Sequence, residues 1–304
     1  MLDANPWEIH ALHELGFTYF TSKHYEEALA TARVGIQCKS ELLPAFYTLM
    51  GNALDELGKR KEAIETYREA IKLNPTMGLI HYNLAISLRA DGKKDEARAA
   101  VQAALHCEPG RPSSHAVLAS LYKDMGYRVP AILAYSRFLL LEPQSPRAAN
   151  IVSELDRLLT GGVTKGKDDN HININVMMPG PGKELKQEGD FSPAEMMLGI
   201  IVAGTAMKNS GKNNDKPATP FDNVTTIYAC LGESLENSKP KGGFASTYYA
   251  PFFAAVEKAG HTPAFVAQAW SGANLEGAAD WAKANQPKID AFNSWLKSYS
   301  WPTK

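Results

Sequence analysis

The sequence has few cysteines, almost no net charge and no long apolar run. Its three cysteines, Cys38, Cys107 and Cys230, are odd in number and show no CxxC spacing. That excludes a disulfide framework and a zinc ribbon, and leaves them predicted as small buried apolar side chains. Lys and Arg number 32 against 33 Asp and Glu, for a net charge of -1. A nucleic-acid binder needs a basic surplus to displace counterions from phosphates, so no nucleic-acid partner is expected. The longest apolar stretch, 196–207, has about 12 residues where a membrane span needs roughly 18, so the chain is not expected to span a membrane. What remains is 304 residues with 44% hydrophobic and 21% charged side chains, the composition of a globular protein with about two domains.

Catalytic motifs are also scarce. Gly232-Glu233-Ser234-Leu235-Glu236 has the serine of a nucleophile elbow without its second glycine, and lies in a helical stretch. Pro181-Gly182-Lys183-Glu184 has a Gly-Lys pair, but no upstream glycine, and Glu stands where Ser or Thr would reach magnesium. His10 and His13 share a helix face beside Glu14, yet no third metal ligand is assignable. No catalytic residue, metal site or cofactor is therefore expected. An enzyme hidden in 191–304 would need Glu195, Glu233, His261 or Asp280 to converge in a pocket.

What is present is a repeat. A Gly or Ala, followed 12 residues later by Ala and 24 later by Pro, recurs at a period of 34 to 35 residues. The four segments start at Ile9, Pro44, Gly78 and Pro112 and align without gaps, apart from one extra residue after the first. Small residues Gly16, Gly51, Ala85 and Ala119 stand opposite Ala28, Ala63, Ala97 and Ala131, the condition for two antiparallel helices to approach closely. Pro75, Pro109 and Pro143 cannot continue a helix, so each opens a turn into the next hairpin. Residues 146–159, with Ile151, Val152, Leu155, Leu158 and Leu159, have the spacing of one more amphipathic helix that shields the last hairpin from water.

In period and pattern these segments resemble the tetratricopeptide repeat. The second shows Tyr47, Met50, Gly51, Leu54, Ala63, Tyr67, Ala70 and Pro75 at the patterned positions, and the fourth His115, Leu118, Ala119, Tyr122, Ala131, Tyr135, Phe138 and Pro143. The resemblance covers about half the chain. It implies an all-α solenoid of four helical hairpins plus a capping helix over 1–159. It also implies a function of holding a protein or peptide partner, with no catalysis. Leu2-Asp3-Ala4-Asn5-Pro6 reads as the tail of an earlier hairpin, so the chain is expected to begin within a longer array, and no signal peptide is read there.

In this family the first helix of each hairpin lines a concave groove. Its contact positions fall here on His13, Phe17 and Phe20, on Leu49 and Asn52, on Tyr82, Asn83, Ile86 and Arg89, and on Ser120. Asn52 and Asn83 match the two asparagines of a carboxylate clamp, and an amide donates and accepts together toward a peptide backbone. The clamp's cationic positions are instead Thr48, Ser113 and Val117. The aromatic and aliphatic groove positions favour a partner that buries apolar side chains or a helix.

Residues 160–190, rich in Gly, Pro, Lys, Asp and Asn, read as a linker. Within them 171–176 alternate polar and apolar as a strand does, and are long enough to lie back in the groove. Residues 191–304 are expected to form a second helical domain, with Ser192-Pro193 opening a helix to about 207 and further helices at 219–237, 244–259, 263–268, 275–284 and 287–299. Trp270, Trp281, Trp295 and Trp301 crowd its last 35 residues. They are read as core before site, with self-association through this tryptophan-rich region as the alternative use. A structural or accessory subunit of a larger envelope or extracellular assembly is the rival to a scaffold. The Asn-rich linker leans the location toward a bacterial periplasm or cell envelope.

Overall fold

The computed structural model describes residues 5–165, 172–174, 188–208 and 218–302. The chain gathers into two compact units that part between Ser114 and His115. The first contains α1 (Pro6–Thr21), α2 (Tyr25–Gln37), α3 (Leu43–Glu56), α4 (Arg60–Leu73), α5 (Gly78–Ala90) and α6 (Lys94–Cys107), followed by the start of α7 (Pro112–Asp124). These are three helical hairpins in the order the repeat predicts. Each closes on side chains without bulk: Ala28, Ala63 and Ala97 are fully buried. A Cβ on Gly51 would lie 2.5 Å from the Tyr67 ring.

The hairpin turns repeat as well. Gly58 and Gly92 sit past the first helix of the second and third hairpins with φ of +75° and +78°, the left-handed conformation that ends a helix at little cost to glycine. Lys23, with φ of +65°, fills that place in the first hairpin. Between hairpins the chain turns at Asn74-Pro75 and Glu108-Pro109, where proline withholds the N–H a further turn would need.

The second unit begins inside α7 and continues through α8 (Arg128–Leu141), α9 (Ala148–Thr160), β1 (Val163–Lys165) and β2 (Ile172–Ile174). It then runs through α10 (Ser192–Lys208), α11 (Pro220–Ser238), α12 (Phe244–Tyr248), α13 (Ala250–Lys258), α14 (Thr262–Ala269), a 3-10 turn (Ser271–Ala273), α15 (Ala278–Ala284) and α16 (Gln286–Ser298). The two strands pair antiparallel, with Val163 opposite Ile174 and Lys165 opposite Ile172. Helix α8 is the axis of the unit. It is mostly apolar, and each residue from Arg128 to Leu140 is buried, Arg128, Ser136 and Arg137 included, so the helix has no solvent face. Helices α9, α10 and α14 lie against it.

Several polar groups in this interior are met by specific partners. His115 Nδ1 lies 2.7 Å from the Tyr249 hydroxyl, and the Ser136 and Tyr228 hydroxyls are 2.5 Å apart. Glu188 accepts from the Tyr122 hydroxyl at 2.6 Å and from the Ala245 N–H at 3.1 Å. Arg128 donates to the carbonyls of Leu158 (2.7 Å), Leu159 (3.2 Å) and Gly161 (2.8 Å), which end α9, and reaches Glu195 of α10 at 3.5 Å. Glu195 in turn accepts from the Val129 N–H at 3.0 Å. Burial pushes the Glu195 carboxyl up, and the Arg128 charge opposes that shift.

The all-α class is as the sequence implies, with one short two-stranded ribbon added. The division of the chain differs from the expected one. The fourth hairpin from His115 on and α9, expected in a solenoid over 1–159, belong to the same compact unit as α10 to α16. The reason is α8, which has no solvent face to keep it apart. The expected linker 160–190 holds β1 and β2, and its end is tied in through Glu188. The described part of the strip at 171–176 pairs with β1, and its other residues lie outside the described ones. The helix expected at 244–259 breaks at Tyr249, because Pro251 is barred from the helix interior. The cysteines are free, as expected, but half-buried rather than buried, with the Cys38 thiol donating to the Val34 carbonyl at 3.5 Å. Among the described residues no helix is long and apolar enough to cross a membrane.

Replacing Arg128 by Met leaves the Glu195 carboxylate without its counter-charge and three helix-end carbonyls without their side-chain donor. The expected cost is about 3–5 kcal/mol, as for a buried ion pair that loses one member. Urea unfolding followed by tryptophan emission measures it, because four of the five tryptophans lie in this unit; an unchanged midpoint would contradict the assigned role.

Candidate functional site

The candidate site lies on the first helices of the three hairpins in the first unit. Helices α1, α3 and α5 touch in succession. Phe17, Asn52 and Ile86 occupy the same repeat position on these helices. Phe17 is 52% exposed and Ile86 38%, so the row reads apolar, amide, apolar.

Asn52 is the hub of a hydrogen-bonded ladder. Its Oδ1 accepts from the Tyr67 hydroxyl at 2.7 Å and from Asn83 Nδ2 at 2.9 Å. One turn further along, the Ser87 hydroxyl donates to the Asp55 carboxylate, which lies 3.8 Å from the Arg60 guanidinium. Burial raises the Asp55 carboxyl, while the Ser87 hydroxyl and Arg60 act in the opposite sense. Burial, and then the nearby Asp55 charge, push the Tyr67 hydroxyl far up. Tyr67 therefore remains a donor, which fixes Asn52 with its oxygen inward. Among the described residues the Nδ2 hydrogens of Asn52 and the Oδ1 of Asn83 have no hydrogen-bond partner. Two donors and one acceptor are left for an incoming backbone.

The other expected groove residues divide by packing. Tyr82 and Arg89 are half-buried on α5, and the Arg111 guanidinium lies 6.0 Å from the Tyr82 ring. His13 is half-buried, edge-on to Phe46 at 5.4 Å and 3.6 Å from Glu14. Phe20 packs on the Tyr25 ring at 5.6 Å. Leu49 does not line the surface. It is only 3% exposed, because the missing side chain of Gly16 opens a place for it against α1. Ser120 falls in the second unit, where it hydrogen-bonds to Tyr135.

Sequence reasoning named Asn52 and Asn83 but missed Tyr67, Asp55 and Ser87 as their supports. The signal was available for Tyr67, a patterned position whose hydroxyl needs a partner once buried. Asp55 and Ser87 meet only when two hairpins stack.

Outside the row, the residues that would have marked an enzyme are placed apart in kind. Glu195 is bound to Arg128 and Val129, His261 packs between Phe292 (5.7 Å) and Trp295 (5.4 Å), and Glu233 and Asp280 are exposed. His10 pairs with Glu41 at 3.8 Å rather than with His13. Among the described residues no cluster of three or more metal-ligating side chains occurs. The tryptophan-rich end is core in large part: Trp270 is buried, and Trp295 and Trp301 pack on Phe252 at 5.8 and 4.7 Å.

Residues 48–112 match the tetratricopeptide repeat family. A TPR repeat-containing thioredoxin of Arabidopsis thaliana is 33% identical over 101 residues, which is 33% of this chain and 14% of that relative's length. Among solved structures, a thermophilic TPR protein of Thermus thermophilus aligns over 51% of this chain and 83% of its own, with 22% identity and a TM-score of 0.43. MamA of Desulfovibrio magneticus aligns over 49% and 94%, with 17% identity and a TM-score of 0.42.

Substituting Asn52 by Ala removes the acceptor of both Tyr67 and Asn83 and leaves a buried hydroxyl unpaired. The expected loss is about 1–3 kcal/mol, against about 1 kcal/mol for Tyr67→Phe, which deletes the donor instead. Chemical denaturation of the two variants side by side checks this order, and a milder effect of Asn52→Ala would reverse the reading of Asn52 as hub.

Proposed function

We propose that the row Phe17, Asn52, Ile86 holds a segment of a partner protein, since residues 48–112 match the tetratricopeptide repeat, a family whose members generally mediate protein–protein interaction. The observation that carries the reading is the ladder around Asn52. It presents unpaired amide donors from Asn52 and an unpaired oxygen from Asn83, between two exposed apolar side chains. A segment that sets an apolar side chain on Phe17, another on Ile86 with Tyr82, and a backbone amide against Asn52 and Asn83 satisfies all of these at once. Fixed side chains lower the ordering cost of binding, which favours affinity beyond the contact area. The chemistry asked of the partner is apolar, and the thinly populated cationic positions argue against an acidic tail in this groove. Scaffolding, without catalysis, is the role that fits.

A displayed-peptide selection against the whole chain, followed by calorimetry, tests the proposal. Selected peptides are expected to be apolar at two or more positions. Phe17→Ser with Ile86→Ser should weaken them by about tenfold or more, roughly 1.4 kcal/mol. Both residues are exposed, so the unfolding midpoint should not fall. Binding that survives the double substitution would move the function away from this row.

A further inference from the structure

Arg137 stands out among the buried groups of the second unit. It lies on α8 and is 7% exposed, yet its guanidinium has no ion pair and no hydrogen-bond acceptor among the described residues, and its Nε is sealed from solvent without a partner. Arg128, nine residues earlier on the same helix, is met by three carbonyls and a carboxylate. Around Arg137 there are rings instead. Its Cζ is 4.4 Å from the Trp301 centroid and 5.9 Å from that of Phe252. Trp301 in turn lies 5.2 Å from Tyr248 and 5.3 Å from Tyr299. Phe252 and Tyr248 are buried, while Trp301 and Tyr299 are half-buried.

We propose that Arg137, with Tyr248, Phe252, Tyr299 and Trp301, is a binding site for a carboxylate carried beside an apolar group. A guanidinium has five N–H donors in one plane and no acceptor. The ring faces stabilise its charge from above but take none of those in-plane hydrogen bonds. A buried cation left in that state is costly, and the cost falls when a counter-charge with good hydrogen-bond geometry arrives. The tyrosines cannot supply the counter-charge. Burial raises the hydroxyls of Tyr248, Tyr249 and Tyr299, so all three stay neutral. Burial also lowers Arg137 to about 10, which leaves it charged at neutral pH. One planar fork with one positive charge matches a carboxylate, two oxygens and one negative charge, in a bidentate pair. The ring walls then accept the apolar group beside it and disfavour a strongly hydrated dianion.

The test uses the full chain and four probes: N-acetyl-leucine, its uncharged amide, acetate and inorganic phosphate. The readout is the indole N–H resonance of Trp301, identified with Trp301→Phe. The acid is expected to shift it saturably, with the amide and acetate each at least about tenfold weaker, a difference of roughly 1.4 kcal/mol. Arg137→Met should abolish the preference of acid over amide, and Arg137→Lys, which keeps the charge but not the fork, should weaken the acid several-fold. Equal binding of acid and amide, equal binding of phosphate, or undiminished binding of the acid by Arg137→Lys would each overturn the proposal. So would the absence of any saturable shift. If Arg137→Met does not fold, the Lys variant and the amide decide the matter.

Discussion

Two helices of a hairpin come close only where neither has a side chain in the way, and the first unit is organised around that contact. Ala28, Ala63 and Ala97 are fully buried where the paired helices meet. At Gly51 the absence of a Cβ lets the Tyr67 ring lie directly on the α3 backbone. With that ring in place its hydroxyl reaches Asn52, and Asn52 in turn fixes Asn83 of the next hairpin. The orientation of the candidate groove's amides thus follows from the glycine that precedes Asn52. Large residues at these points would separate the helices and break the ladder as well as the core.

The second unit uses the same hairpin for a different end. Its α8 has the small Ala131 where the repeat requires it, but mostly apolar side chains, all buried to Leu140, cover the remaining faces. A helix of that kind has to be enclosed. The enclosing helices bring polar groups inside, and most are paired: His115 with Tyr249, Ser136 with Tyr228, Glu188 with Tyr122, Arg128 with Glu195 and the end of α9. Arg137 breaks the rule: rings lie over it, and among the described residues it has no ion pair or hydrogen bond. In an interior where the other buried charges have partners, an unpaired one marks a place suited to an outside anion.

The sequence was readable wherever a local rule sufficed. Period, small-residue positions and closing prolines located the helices of the hairpins, because helix contact and chain reversal are each decided within one repeat. The second-half helices were located to within a few residues by caps and prolines, except at Pro251, whose break was not anticipated. Groove positions were legible by their place in the repeat, but exposure was not. Leu49 is lost to the interior because of Gly16, a residue in another hairpin.

What the sequence by itself determined is the helical hairpin, its length, its turns and the row Phe17, Asn52, Ile86, since these depend on neighbours within one repeat length or on exact recurrence. Only the tertiary structure decided that the fourth hairpin belongs with the C-terminal helices, and that Arg137 is buried without a counter-charge among the described residues. Each of these depends on which side chains meet across large sequence separations. Apolar periodicity says that a face is buried, but it does not name the partner that buries it.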